Sequence, residues 1–145
     1  MCLAEQLRAA AGAGDLDGVR SALAQGADIN ARGEWGDAAL NVAAENGHGD
    51  VVAFLIGEGA NVENLGGADK TSIMNAAFAG HVAVVRQLLA VGARISDDLL
   101  NSVAMKLRIL EENAEEGMVR PEAAEAWRGF LDGLIAERRK QDGVG

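Results

Sequence analysis

The sequence predicts an all-α solenoid of stacked helix–turn–helix units, and two features carry that prediction. The first is a set of residues that recur every 33 positions without a gap. The series are Gly14, Gly47 and Gly80; Gly26-Ala27, Gly59-Ala60 and Gly92-Ala93; and Ala10-Ala11, Ala43-Ala44 and Ala76-Ala77. The second is helical spacing of the apolar residues between these glycines. A fixed period of this length is typical of supersecondary units that bury their apolar faces against one another.

The composition fits one domain covering residues 1–145. Hydrophobic residues make up 49% of the chain but aromatic residues only 3%, so the core must consist of Ala, Leu, Val and Ile. The 19 glycines and the single proline indicate many short turns at fixed places.

The formal net charge of −9 argues against nucleic acid as a partner, since neutralising phosphates requires clustered Lys and Arg. It favours a partner protein with a basic or mixed surface. Cys2 is the only cysteine, which excludes an internal disulfide and suits a reducing compartment. The first eleven residues do not resemble a signal peptide, and no stretch approaches the length of a membrane span. We therefore expect a soluble, cytoplasmic monomer that does not act at a membrane.

The period divides the chain into an N-terminal capping repeat at residues 1–30 and two further repeats at 31–64 and 65–96. Each repeat is expected to hold two helices separated by a glycine turn and followed by a short hairpin-like loop. The second helix of the middle repeat carries a wide apolar stripe, made of Val51, Val52, Leu55 and Ile56. Alanines on the first helices and larger aliphatics on the second let neighbouring repeats nest, with helix axes about 8–10 Å apart.

The period ends after Ser96. Asp97 or Asp98 is expected to cap a further helix, and Pro121 to open a last one at its favoured first-turn position. The apolar face of the last helix comprises Trp127, Phe130, Leu131, Leu134 and Ile135. We predict that residues 97–140 form a C-terminal helical cap that closes the apolar end of the stack, with Trp127 and Phe130 in its core beside Leu131 and Leu134. Residues 141–145 are expected to be a disordered tail.

The repeat resembles the ankyrin repeat, whose unit is a turn followed by two antiparallel helices. The family pattern has a Gly before a Thr-Pro-Leu-His start, and then Ala-Ala, Gly-His, Val-Val, Leu-Leu and Gly-Ala. The middle repeat matches at Gly36, Leu40, Ala43, Ala44, Gly47, His48, Val51, Val52, Leu55, Ile56, Gly59 and Ala60. The next matches at Thr71, Ile73, Ala76, Ala77, Gly80, His81, Val84, Val85, Leu88, Leu89, Gly92 and Ala93. The resemblance covers about two thirds of the chain.

The helix-start tetrad departs from the family pattern. It reads Ala38-Ala39-Leu40-Asn41 in the middle repeat and Thr71-Ser72-Ile73-Met74 in the next, without the Pro and the His. In the family this tetrad holds the first helix through a rigid proline and a local hydrogen-bond network. Its loss predicts either looser first helices or compensation by Asn41 and Ser72.

No residue pattern predicts catalysis, a cofactor or a metal. His48 and His81 occupy equivalent positions in adjacent repeats, on the order of 10 Å apart. Zinc ligands must each lie about 2 Å from one ion, so we expect these histidines to stabilise turns instead. The glycine-rich segments lack the Gly-Lys-Ser/Thr of a phosphate loop, and the acidic run at residues 111–116 is typical of a solvated helix end.

In ankyrin-repeat proteins the turn tips and the inner face of the first helices form a concave binding surface. The resemblance therefore implies a candidate surface made of Glu34, Trp35, Asp37, Glu45, Asn46, Lys70 and Phe78. Here Trp35 and Phe78 would supply affinity, and the carboxylates would steer a basic partner. An alternative for Trp35 stays equally open, namely that its ring packs on the neighbouring turn.

The sequence thus predicts a non-enzymatic module that binds a partner protein through the candidate surface. A second hypothesis is an inhibitor or assembly factor that acts through the C-terminal helices, because residues 97–140 are longer than a simple cap requires.

Overall fold

The computed structural model describes residues 1–143, which contain eight α-helices and no strand. The helices are α1 (Leu3–Ala13), α2 (Leu16–Ala24), α3 (Ala39–Glu45), α4 (Gly49–Gly57), α5 (Ser72–Ala79), α6 (Val82–Ala90), α7 (Asp97–Glu115) and α8 (Pro121–Gln141). A short 3-10 turn covers Gly67–Asp69. The helices fall into two compact units, Met1–Ala93 and a second that begins at Arg94. The predicted all-α repeat fold is confirmed.

The unit Met1–Ala93 consists of two layers of helices. The first helices α1, α3 and α5 pack side by side in one layer, and the second helices α2, α4 and α6 pack in the other. Its largest fully buried side chains are Leu7, Val19, Leu40, Val51, Val52, Leu55, Ile73, Val84, Val85 and Leu88. Burying a side chain of this size stabilises the fold by about 1.5–3 kcal/mol. The buried alanines of α3 and α5 allow the close approach of neighbouring repeats.

Glycines of the period end α1 and α5, and an aspartate caps the start of α2. Gly14 ends α1 with φ of 72°, and Gly80 ends α5 with φ of 85°, a left-handed conformation that glycine adopts without strain. Asp15 then caps α2, since its carboxylate accepts a 3.0 Å hydrogen bond from the backbone N–H of Gly18. The helix–turn–helix plan is therefore specified locally.

The two histidines connect adjacent repeats. A Cβ atom built on Gly14 would lie 2.7 Å from Nδ1 of His48, and one built on Gly47 would lie 2.6 Å from the His81 ring. Nε2 of His48 also donates a 2.9 Å hydrogen bond to the carbonyl oxygen of Gly12. Each histidine ring thus packs on the glycine turn of the preceding repeat, which is a structural role between repeats.

The second unit is an antiparallel pair formed by α7 and α8. Arg138 near the end of α8 pairs with Asp97 at the start of α7 at 3.1 Å, and Arg128 pairs with Glu111 further along. The hydrogen bond to Glu111 raises the pKa of the Arg128 guanidinium. Gln141 is the last residue of α8, so this helix extends one residue into the predicted tail. Val144 and Gly145 lie outside the described residues.

The start of α7 differs from the prediction. Ser96, rather than Asp97 or Asp98, is the capping residue, because its Oγ accepts a 3.1 Å hydrogen bond from the N–H of Leu99. Both aspartates lie in the first turn instead, where they complement the helix dipole. Pro121 occupies the first turn of α8 as expected.

The core of this pair contains Leu99, Val103, Leu107, Ala124 and Leu134. Trp127 and Phe130 are only half-buried and meet edge to face with centroids 5.3 Å apart, while Ile135 is exposed. The predicted place of Trp127 and Phe130 in the core is thus only partly right. The wide apolar face of α8 is therefore only partly buried. That this pair closes the stack stays a prediction.

Candidate binding surface

The turns that precede α3 and α5 share one hydrogen-bond frame. In the first, the N–H of Gly33 donates to the carbonyl of Asp37 at 2.9 Å and that of Gly36 to the carbonyl of Gly33 at 3.0 Å. In the second turn, the N–H of Gly66 donates to the carbonyl of Lys70 at 2.9 Å in the same way. The tips of the two turns therefore project equivalent residues, which are Glu34 and Trp35 in one and Gly67 and Ala68 in the other.

Side chains of the first turn bind the backbone of the second. Oδ1 of Asp37 accepts a 2.9 Å hydrogen bond from the N–H of Gly67, and its carboxylate lies so close to Gly66 that no Cβ fits there. Arg32 donates from Nη2 to the carbonyl of Leu65 at 2.8 Å and from Nε to that of Gly36 at 3.1 Å. Asp37 is half-buried as a result, so this member of the candidate surface acts within the chain.

Asn41 replaces the histidine of the family tetrad and organises the base of these turns. It is 1% exposed, and its Oδ1 accepts hydrogen bonds from the N–H of Ala38 at 3.1 Å and from Nδ2 of Asn64 at 2.8 Å. Its own Nδ2 donates to the carbonyls of Asn64 and Lys70 and to Oδ1 of Asn75, at 3.2–3.3 Å. The predicted compensation by Asn41 is thus present.

Ser72 does not contribute in the same way. Its Oγ is buried and has no hydrogen-bond partner among residues 1–143, so the predicted compensation by this side chain is wrong. The position lies at the start of α5, where the equivalent residue of the middle repeat is Ala39. Packing therefore decides this position, and the hydroxyl is not required by the turn.

Trp35 is 78% exposed at the tip of its turn. Its backbone carbonyl and Cβ lie 3.7 and 3.8 Å from a Cβ built on Gly67, while the side chain as a whole stays exposed to solvent. The alternative in which its ring packs on that turn is therefore wrong. The other four aromatic residues of the chain are all half-buried. Among the aromatic residues of positions 1–143, Trp35 is thus the one whose side chain is exposed.

Phe78 is covered in part by a cation from its own chain. Nζ of Lys70 lies 5.0 Å from the centroid of the Phe78 ring, a cation–π contact between two half-buried residues of the candidate surface. Phe78 occupies the position in α5 that Glu45 occupies in α3. The two members Lys70 and Phe78 therefore lie together, as a pre-formed patch beside the second turn.

The remaining members are polar and exposed. Glu34 lies beside Trp35, and Glu45 lies at the end of α3; neither forms an ion pair with any residue from 1 to 143. Asn46 caps the C-terminus of α3, and its Nδ2 donates a 2.9 Å hydrogen bond to the carbonyl of Val42. The carboxylates of Glu34 and Glu45 are therefore available to a cationic partner.

Within residues 1–143, no group of three or more His, Cys, Asp or Glu side chains is arranged to hold a metal ion. Over the same range, every helix is too short or too polar to cross a membrane.

A family model described as ankyrin repeats, in three copies, matches residues 7–98. The chain belongs to the ankyrin-repeat family. No curated protein matches it. Ankyrin repeats are generally modules of protein–protein interaction, and members of the family are typically not enzymes. The resemblance inferred from the glycine and alanine series is confirmed.

Proposed function

We propose that this protein binds a partner protein through the candidate surface, with Trp35 at the centre of the contact. The observation that carries the proposal is the 78% exposure of Trp35 on a turn held by internal hydrogen bonds and by hydrogen bonds to the next turn. Exposing an indole to water is unfavourable, and tryptophan is among the residues that dominate binding energy in protein interfaces. A rigid turn lowers the entropy that binding costs.

The charge of the surface favours a basic or mixed partner. Glu34 and Glu45 are exposed without an ion-pairing partner in the described part of the chain. The whole chain carries a formal charge of −9. Negative charge near the contact raises the association rate of a cationic protein, an effect that salt screens. We also propose a reducing compartment such as the cytoplasm, since Cys2 is the only cysteine and cannot form an internal disulfide.

Affinity capture with matched variants tests the proposal. Wild-type protein and the double variant Trp35→Ala/Phe78→Ala are immobilised, and the captured proteins are identified by mass spectrometry. The control variant is Trp127→Phe, which changes the other tryptophan, on α8. The proposal expects a partner that wild type and control capture and the double variant loses, with circular dichroism unchanged in all three. Equal capture by the double variant would overturn it.

A second candidate function uses the C-terminal helices as the binding element. Met105 and Ile109 lie one turn apart on α7 and are 53% and 48% exposed, so they form an exposed apolar pair. An inhibitor or assembly factor would bury them against its target. The variant Met105→Gln/Ile109→Gln, compared with wild type in the same capture experiment, tests this candidate. Loss of a partner that the Trp35→Ala/Phe78→Ala variant still captures would favour it.

A further inference from the structure

We infer that the group recognised by Trp35 is an arginine side chain of the partner, which stacks on the indole and pairs with Glu34. This inference rests on the proposed function and names the chemistry of the partner. Three observations support it: the other aromatic rings already have partners, the nearby cations are engaged with other groups, and the neighbouring turn leaves space beside the indole.

Every other aromatic ring of the chain already has a partner. Arg20 lies 5.2 Å from the Phe54 centroid, Lys70 lies 5.0 Å from that of Phe78, and Lys106 lies 4.7 Å from that of Trp127. Phe130 packs edge to face on Trp127. Trp35 is the exception: no cation of residues 1–143 lies over its ring. Indole is the aromatic group that attracts cations most strongly, so a cation from outside the chain fits this position.

The cations nearest to Trp35 in the two turns are engaged elsewhere. Arg32 donates to the carbonyls of Gly36 and Leu65, and Lys70 lies over Phe78. The adjacent carboxylate of Glu34 has no ion pair with the described residues. The tip therefore presents an unpaired negative charge beside an open aromatic ring, and only a positively charged ligand complements both.

The neighbouring turn leaves room for such a ligand. At the position equivalent to Glu34 it carries Gly67, and at the position equivalent to Trp35 it carries Ala68. A Cβ built on Gly67 would lie 3.8 Å from the Cβ of Trp35, which is ordinary van der Waals contact. A longer side chain at residue 67 would therefore lie against the base of Trp35. With glycine there, that side of Trp35 is open to a ligand.

Arginine suits this site better than lysine. Its planar guanidinium stacks on an aromatic face while its N–H groups donate two parallel hydrogen bonds to a carboxylate. The lysine ammonium is a compact, strongly hydrated charge that cannot make both contacts as well. Glu34 and Trp35 are consecutive residues of a turn closed by the 3.0 Å hydrogen bond from Gly36 to Gly33. They are thus adjacent at the tip of one turn, and the inference places a single arginine side chain against both.

The test measures the binding of fluorescein-labelled hexaarginine, hexalysine and hexaglutamate by fluorescence anisotropy. The proteins are wild type, Trp35→Ala, Glu34→Gln, Gly67→Leu and the control Trp127→Phe. We expect saturable binding of hexaarginine to wild type and control, and at least threefold weaker binding of hexalysine. Trp35→Ala and Gly67→Leu should each weaken hexaarginine binding about tenfold and Glu34→Gln about threefold, in line with cation–π and ion-pair energies. Hexaglutamate should not bind.

Three results would overturn the inference: no saturable binding of hexaarginine, equal affinity for hexalysine, or the same hexaarginine affinity in Trp35→Ala as in wild type. Equal affinities for the two basic peptides would mean that net charge alone attracts them. The proposed function fails separately, when capture of a partner protein is independent of Trp35. If capture of a partner requires Trp35 but hexaarginine and hexalysine bind equally well, the proposed function is supported and the inference of an arginine ligand is overturned.

Discussion

The carboxylate of Asp37 accepts a 2.9 Å hydrogen bond from the backbone N–H of Gly67 and thereby joins the turn of the middle repeat to that of the next. Arg32 adds a second connection between the same two turns through the carbonyl of Leu65. Trp35 lies between these two residues in sequence. Its exposed ring is therefore presented by a segment that is fixed at both ends before any partner binds, which favours affinity.

Replacing Asp37 by Ala should lower the free energy of unfolding by about 1–2 kcal/mol, because the N–H of Gly67 loses its acceptor. Asp37→Asn keeps an oxygen at the same place and should cost less than half as much. Urea denaturation of the two variants measures the difference. Equal destabilisation by Ala and Asn would show that the carboxylate charge, rather than the acceptor, matters.

The histidine–glycine contacts between repeats predict a large cost for a methyl group on Gly47. Its φ is 74°, and a Cβ would lie 2.6 Å from the His81 ring. Gly59 is the matched control, with φ of 89° and nothing within 4 Å of a built Cβ. Gly59→Ala should cost about 1–2 kcal/mol from backbone strain alone, and Gly47→Ala roughly 3 kcal/mol or more.

Thermal or urea unfolding of the two alanine variants checks this difference. The double variant Gly47→Ala/His81→Ala should be destabilised by less than the sum of the two single variants, because removing the His81 ring removes its clash with the new methyl group. If Gly47→Ala costs no more than Gly59→Ala, the ring does not pack on the glycine as described.

The buried amide of Asn41 should be one of the least replaceable polar groups of the fold. Asn41→Ala removes the acceptor of the Ala38 N–H and one hydrogen-bond partner each of the Asn64 and Asn75 side chains, and should cost about 2–3 kcal/mol. Asn101→Ala on the exposed face of α7 is the control and should stay within about 0.5 kcal/mol of wild type. Similar unfolding free energies for both variants would contradict the network.

Ala68 offers a substitution that should stabilise the protein. Its φ is 58°, a left-handed conformation that costs a non-glycine residue roughly 1–2 kcal/mol. Ala68→Gly should therefore raise the free energy of unfolding by up to about 1 kcal/mol. The same change in the exposed middle of α7, Ala104→Gly, should lower it by about 1 kcal/mol. Opposite shifts in urea midpoint are the expected result, and a loss of stability in both variants would contradict the strain at residue 68.

The period of the glycines and alanines was enough to predict the helices and their pairing, because helix ends depend on local chemistry. Gly14 and Gly80 end helices as left-handed residues, and Pro121 opens α8 at its favoured position. The cap of α7 was misplaced because Ser96 and the two aspartates that follow it are all good capping residues. Only the backbone geometry separates them.

The repeat pattern predicts which residues belong to the candidate surface, but it does not predict the contacts that their side chains make. The family pattern places Asp37, Lys70 and Phe78 near one another. That Asp37 binds Gly67 and Lys70 lies over Phe78 depends on side-chain conformations, which a 33-residue period does not encode. The exposure of Trp35 was equally open, since it depends on how small the neighbouring turn is. The missing signal was the pair Gly67-Ala68 at the equivalent positions.

Hydrogen exchange of the purified complex tests the central claim most directly. Amide exchange of the chain is compared alone and bound to the protein that it captures in a Trp35-dependent manner. Binding through the candidate surface should slow exchange at the two turns, residues 33–37 and 66–70, and leave α7 and α8 unchanged. Slower exchange confined to residues 97–141, with both turns unaffected, would contradict it.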